Sequence, residues 1–237
     1  MTQLVIKGVI YLFENIKFGQ AKYNWLIVDT QGKEINSKPN NIPFFRSRAS
    51  ELVDVMFKYN DNFCYWNSFN DTIFDVFPLE YHSRYQFAQN SFRVTPNNIG
   101  DMKLYSSKIF IPRGFWESKK YLFFKYHMES KSGFGLVDKS DEKIYSLEQG
   151  ENQKNNKGYI NDIDAGSNFI PLAHITIDDT DYLVGSIDAV ELVQYFKGSF
   201  FKNSTPKFPE KKKQLEQLAN SLDENDNPVL MLVKLKK

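Results

Sequence analysis

Short runs rich in β-branched and aromatic residues, each closed by a polar turn cluster, recur from the first residues to about Phe196. Runs of that length separated by turns favour a sandwich, barrel or propeller of antiparallel strands over an alternation of strands with helices. Gly8 to Glu14 and Tyr23 to Asp29 read as strands. Asp29-Thr30-Gln31-Gly32-Lys33 supplies a turn whose Asp and Gly tolerate the backbone angles required, and Glu34 to Ser37 completes a hairpin. This first unit reads as lacking an opening strand.

The second unit is a meander of Leu52 to Tyr59, Asn62 to Trp66, Thr72 to Phe77 and Arg84 to Phe87, with Asn60-Asp61 as its first turn. The third repeats it with Lys108 to Arg113, Tyr121 to His127, Gly133 to Asp138 and Lys143 to Leu147. Its turns are Glu117-Ser118-Lys119-Lys120 and Lys139-Ser140-Asp141-Glu142. A fourth opens with Phe169 to Ile177 and Tyr182 to Ile187. Leu26-Ile27-Val28-Asp29 is echoed by Gly135-Leu136-Val137-Asp138. A polar turn leading into an aromatic strand recurs at Asp61-Asn62-Phe63, Lys119-Lys120-Tyr121 and Thr180-Asp181-Tyr182. The period is about 60 residues, against about 40 to 45 for a minimal propeller blade, so long connecting loops are expected.

The pattern changes near Asp188. Asp188 to Lys197 predicts a short helix, and a clearer one follows Pro209 with Leu215, Leu218 and Leu222 at intervals of three and four. Asp223-Glu224-Asn225-Asp226-Asn227-Pro228 stops that helix, and Val229 to Val233 then predicts a terminal strand buried on both faces.

With 41% hydrophobic residues over 237 positions, the chain can bury a sizeable core. A formal net charge of +1 supplies no global field for nucleic acid or an anionic membrane, so neither is expected as a partner. Against 21 Phe and 13 Tyr there is one Cys, so aromatic packing rather than disulfides must hold the fold. Cys64, inside Asn62-Phe63-Cys64-Tyr65-Trp66, reads as a small buried apolar residue. The N-terminal residues lack the pattern of a signal peptide, and no apolar run approaches the roughly 20 residues that span a bilayer, so this stretch is expected to be soluble.

Few places invite chemistry. Asp162 and Asp164 alternate with Ile163, which would put both carboxylates on one strand face as a ligand pair or channel lining, with Asp178, Asp179 and Asp181 nearby in sequence. Such carboxylates suit calcium or ordinary turns alike, and without defined ligand spacing no metal is assigned. Asp223 to Asn227 begins like an EF-hand loop but has Pro228 at the glycine position and Lys234 where the closing Glu belongs. His82, His127 and His174 fall in no metal-ligand or triad spacing, and P-loop, dinucleotide and nucleophile-elbow motifs are absent. Lys211-Lys212-Lys213, diluted by Glu210 and Glu216, reads as a solvated helix face. Phe115-Trp116, Tyr195-Phe196 and Phe200-Phe201 fall in connections, where aromatic rings can stack on a ligand or fill between sheets.

From Tyr121 onward the sequence resembles the C-terminal part of six-bladed, TolB-like β-propeller proteins common in Bacteroides and its relatives. The resemblance rests on Tyr121-Leu122-Phe123-Phe124-Lys125-Tyr126, Ile160 to Gly166, Phe208-Pro209-Glu210-Lys211-Lys212-Lys213, and Ser221 to Lys236 with Asn225-Asp226-Asn227-Pro228-Val229-Leu230 at its centre. Tyr65 to Ile73 also looks like a blade hairpin of that family. The resemblance implies an all-β propeller of four-stranded antiparallel blades. About four blades are present as a single domain over residues 1–237, with a C-terminal helix inserted before the last strand. Family members are longer and carry export or lipoprotein signals, which implies a truncated or incomplete ring. It also implies a non-enzymatic binding or scaffold protein of the periplasm or cell envelope that meets a protein, peptide or glycan. The rival expectation is a hydrolase or lyase using Asp162 and Asp164 in a central channel, while Phe115 and Trp116 are the candidate aromatic contacts.

Overall fold

The computed structural model describes residues 2–13, 20–42, 54–60, 62–87, 94–95, 109–128, 131–149 and 158–236. Glu14, Leu52, Val53, Asp61 and Lys108, read above as strand or turn, lie outside the described residues. Four antiparallel sheets follow one another along the chain. The first holds β1 (Thr2–Ile6), β2 (Val9–Phe13), β3 (Tyr23–Asp29) and β4 (Glu34–Pro39) in that spatial order. The second is a meander of β5 (Asp54–Tyr59), β6 (Asn62–Asn67), β7 (Thr72–Val76) and β8 (Tyr81–Gln86). The third is β9 (Ile111–Glu117), β10 (Tyr121–Met128), β11 (Lys131–Asp138) and β12 (Ile144–Gln149). The fourth has three strands, β13 (Ala173–Ile177), β14 (Thr180–Ile187) and β15 (Val229–Lys234). Between β14 and β15 the chain makes helices α1 (Ala189–Lys197), α2 (Ser199–Asn203) and α3 (Pro209–Ser221). This is a blade-like all-β fold.

The echoes in sequence are equivalent places in the sheets. Asp29 and Asp138 both end a third strand, and each carboxylate accepts a backbone N–H from its own turn, from Gln31 and Lys33 in one case and from Ser140 in the other. Asn62, Tyr121 and Thr180 each open a second strand. The expectation of a missing opening strand is corrected: β1 pairs with β2, and the chain reverses through Lys7 and Gly8. Both have positive φ, 48° and 79°, which matches the right-handed twist of a two-residue hairpin. A lysine in that position hides the turn inside what reads as one apolar run.

The chain divides into two compact units, one of residues 1–117 with 121–144, the other of residues 118–120 with 145–237. In the first unit the core is two aromatic clusters sharing one strand. Tyr11, Phe13, Trp25 and Ile27 of the first sheet pack with Phe63, Tyr65 and Val76 of the second. Val55, Cys64, Trp66 and Ile73 pack with Phe115, Leu122, Phe124 and Tyr126 of the third. Because side chains alternate along a strand, β6 sends Phe63 and Tyr65 to one cluster and Cys64 and Trp66 to the other. The third sheet gains close packing from two glycines. Gly135 lies directly across from Phe124 and Gly133 from Tyr126, with the rings laid over the glycines so that a Cβ at either place would collide with them.

In the second unit α1 and α3 cover one face of the fourth sheet, where Leu192 and Ala219 meet Ile187, Val229 and Met231. The expectation that the last strand is buried on both faces is corrected. Leu230 and Leu232 are exposed at 69% and 54%, while Val229, Met231 and Val233 turn inward, because helices cover one side of this sheet only.

Filling the groove under Phe124 tests this packing. Gly135→Ala is expected to lower stability by about 1–3 kcal/mol through overpacking, read as a lower urea midpoint with an unchanged slope. Phe124→Leu in the same chain should recover part of that loss, since the two positions share one space.

Candidate functional site

Among the described residues, the densest cluster of charged groups surrounds Glu117, at the end of β9. Its residue is 0% exposed, although the run Glu117-Ser118-Lys119-Lys120 reads as a turn, and this is a correction. Oε2 accepts from Arg84 Nε at 3.0 Å. Oε1 accepts from Arg84 Nη2 at 2.6 Å, Tyr85 Oη at 2.7 Å and Lys139 Nζ at 2.8 Å. Arg84 also gives Nη1 to Asp75 Oδ2 at 2.7 Å, and the Cys64 thiol donates to Asp75 Oδ1 at 3.3 Å. The Tyr59 ring lies under Arg84 and Lys139, with distances to its centroid of 4.6 and 4.7 Å.

Strand geometry makes the cluster possible. Cys64 and Asp75 stand opposite each other on β6 and β7. Arg84 and Tyr85 are consecutive and would point to opposite faces of a regular strand, yet both reach Glu117. The register between β7 and β8 slips at this point, with Ile73 facing Tyr85 and Phe74 facing Ser83, so Arg84 is the extra residue of a β-bulge. Lys139 comes from the turn after β11.

The electrostatics favour a latch between the second and third sheets over a reactive centre. Burial by itself would push the Glu117 carboxyl up, but the donors on Arg84, Lys139 and Tyr85 outweigh it and hold the group below the ordinary Glu value. A buried carboxylate that accepts from four donors, three of them on cationic side chains, is held ionised and fixed in place as a structural partner. Burial, then the neighbouring Asp75 carboxylate, pushes the Cys64 thiol far up, so it stays protonated and non-nucleophilic.

The residues singled out from sequence go elsewhere. Phe115 is 3% exposed within β9 and packs against Phe57, Trp66 and Phe87, which corrects its placement in an exposed connection. Trp116 is half-buried in the same strand, its ring over Gly114. Asp162 and Asp164 share no strand face, a second correction, because residues 160–168 form bends and turns. Asp162 is exposed and pairs with Lys207 at 2.5 Å, a hydrogen bond that lowers its carboxyl below the usual range. Asp164 Oδ1 accepts from Asn161 Nδ2 at 2.7 Å and Gly166 N at 2.9 Å, holding a turn whose Ala165 has φ of 62°. Tyr195 of α1 caps this turn, its hydroxyl 3.1 Å from the carbonyl oxygens of Ala165 and Gly166.

Asp178 and Asp179 form the hairpin tip between β13 and β14, both with positive φ. Asp181 turns inward to His174 Nε2 at 3.1 Å, Thr176 Oγ1 at 2.9 Å and the Lys119 amide at 3.1 Å. Lys212 is not part of a solvated face, since its Nζ donates to the carbonyls of Phe201 and Ser204 at 2.6 and 2.7 Å and closes the C-terminal end of α2. Phe201 is buried and Phe200 is 72% exposed. Among the described residues no three His, Cys, Asp or Glu side chains are grouped to hold a metal ion. Sequence reasoning missed the Glu117 cluster because Glu117 and Arg84 are 33 positions apart and the bulge that joins them leaves no signature in residue type.

Removing one side of the latch strands its partner. Glu117→Gln is expected to cost about 3–5 kcal/mol of stability, and Glu117→Leu combined with Arg84→Met less than the two single losses added together. The pH dependence has a definite sign. A carboxyl held below its unfolded value contributes fully above about pH 4.3 and loses that contribution as pH falls through the lower folded value. Thermal unfolding followed from pH 7 to pH 3 should therefore show a steep acid loss that is shallower in Glu117→Gln.

Comparison with known proteins agrees with this fold. The crystal structure of a "Putative exported protein (BF0058)" from Bacteroides fragilis NCTC 9343 superimposes with a TM-score of 0.63 at 17% identity, covering 99% of this chain. The chain spans 65% of the length of that protein. An exo-1,5-alpha-L-arabinanase from a bovine ruminal metagenomic library aligns at a TM-score of 0.28 and 12% identity, over 78% of this chain and 67% of that one, too loosely to carry an argument. A search of curated proteins finds no match. Among the described residues no helix is long and apolar enough to cross a membrane. The profile of the family described as Domain of unknown function (DUF4934) matches residues 2–234, and the chain belongs to that family.

Proposed function

We propose that this chain is a non-enzymatic binding or scaffold module of the bacterial cell envelope, made of propeller-like blades, that meets a protein, peptide or glycan through its exposed connections. The observation that carries the reading is the state of its acidic groups. Glu117 is buried and accepts from four donors, Asp162 is paired with Lys207, and Asp164 holds its own turn. A general acid or base needs a proton-transfer position open to substrate, and a metal site needs converging ligands. The envelope assignment is supported by the exported description of the Bacteroides fragilis neighbour and by the resemblance noted in sequence. Exposed aromatic surface at Phe200 and Phe208, 72% and 46% exposed, supplies rings of the kind that stack on sugars or clamp peptides.

The test pairs turnover with binding. Incubated with a panel of chromogenic glycosides, polysaccharides and peptides, the purified chain is expected to release no product above buffer. Titrated with the same oligosaccharides and peptides, it should bind at least one, and Phe200→Ala should weaken that binding by roughly tenfold, the loss of one stacked ring. Product release abolished by Asp162→Asn or Asp164→Asn would overturn the reading in favour of a hydrolase or lyase.

A further inference from the structure

Three aromatic rings of the first unit gather around one ammonium. Lys38 Nζ lies over the rings of Tyr81, Phe74 and Trp25, at 4.3, 5.0 and 5.5 Å from their centroids, all within the range of cation–π attraction. Trp25 and Lys38 stand opposite each other on β3 and β4, so their side chains share a face. The ladder slips on either side of this pair, between Tyr23 and Trp25 and between Ile27 and Val28, and such bulges re-aim side chains. Phe74 and Tyr81 are diagonal neighbours on β7 and β8, since Val76 faces Tyr81 and Phe74 faces Ser83. The rings are set at steep angles rather than stacked: Trp25 to Tyr81 at 79°, Phe74 to Tyr81 at 84° and Trp25 to Phe74 at 55°. Rings so inclined can all attract one cation, and they form a cage.

Lys38 fits that cage poorly. A primary ammonium carries three N–H donors and is strongly hydrated, yet among the described residues its one hydrogen-bond acceptor is Tyr81 Oη at 3.2 Å. A quaternary ammonium has no N–H to satisfy, and its methyl groups carry the charge directly onto ring faces. The β4 backbone is tied down beside Lys38, where Pro39 O accepts from Asn24 Nδ2 at 3.3 Å, but the flexible four-carbon stem lets the ammonium swing out alone. Tyr81, 41% exposed, gives the cage an open side.

We propose that Trp25, Phe74 and Tyr81 form a binding site for a trimethylammonium group, and that Lys38 fills it as an internal ligand which such a group displaces. The assignment does not rest on the role proposed above for Phe200 and Phe208.

The experiment is nuclear magnetic resonance on the whole chain titrated with choline. Ring currents hold the Lys38 CεH2 signals upfield, and choline is expected to return them toward those of a solvated lysine. The Trp25 indole N–H should shift with them, and those of Trp66 and Trp116 should not. Lys38→Ala should tighten choline binding about tenfold, the effect of removing a competitor that fills about nine-tenths of the sites. Tyr81→Leu, at an exposed position, should weaken it about tenfold through the loss of one ring face. The uncharged tert-butyl isostere of choline, with carbon in place of nitrogen, should leave every signal unmoved. Co-sedimentation with phosphatidylcholine vesicles, against phosphatidylglycerol vesicles, distinguishes the sources of the group. Capture by the former alone marks a lipid headgroup and choline binding without capture marks a free solute, and each supports the assignment. Binding of the uncharged isostere as tightly as choline would overturn it, as would choline binding that Lys38→Ala weakens. So would a folded Lys38→Ala chain that takes up neither choline nor phosphatidylcholine vesicles.

Discussion

Strand β6 contributes side chains to two cores at once, and the first three sheets depend on that division. Along Phe63-Cys64-Tyr65-Trp66 every side chain is at most 3% exposed, yet neighbours belong to different clusters. A shift of one residue in register would exchange the two sets and put Trp66 where Tyr65 stacks on Phe13 and meets Trp25 edge-on. The alternation thus sets register as well as cohesion, and it explains how a chain with one cysteine and no disulfide holds successive sheets together. Small residues assist where rings need room, as at Cys64 in the strand itself and at Gly135 beneath Phe124.

Aromatic packing is indifferent to small rotations of one sheet against the next, whereas the charge cluster is directional. Arg84 presents a planar fork to Glu117 and a further nitrogen to Asp75, so the end of β9 is tied to β7 and β8 in a single orientation. Two carboxylates and two cations balance within it, which lets Glu117 be fully buried without a net charge left in the interior. The apolar clusters supply most of the cohesion, and the ionic one selects among the arrangements they allow.

Most strands were legible from alternation and turn residues, with Tyr23 to Asp29 matching at both ends. The failures share a cause: a local pattern is compatible with two structures and a distant contact decides between them. Lys7 in the first hairpin has no turn propensity to announce it, and only pairing with Val9 to Phe13 defines β1. Asp162-Ile163-Asp164 alternates as a strand would, but the Asn161 side chain accepts from the Ile163 amide and closes a turn. Phe115 and Glu117 precede a lysine-rich connection and read as part of it, whereas pairing with β10 carries the strand through to Glu117. Of the Glu117 site nothing was legible, since its members come from five strands and a turn.

Strand β15 lies at the margin of its sheet, with β14 on one side. Its core, Val229-Leu230-Met231-Leu232-Val233, joins high β-propensity to the absence of charge, the composition that nucleates cross-β association when a backbone edge is open. Pro228 stands immediately before it, and Lys234 and Lys236 follow. A proline cannot extend an intermolecular ladder, and stacked copies would bring the lysines into register and into repulsion. The residues that bracket this strand therefore act as gatekeepers, keeping a sticky segment available for folding while making its indefinite self-addition unfavourable.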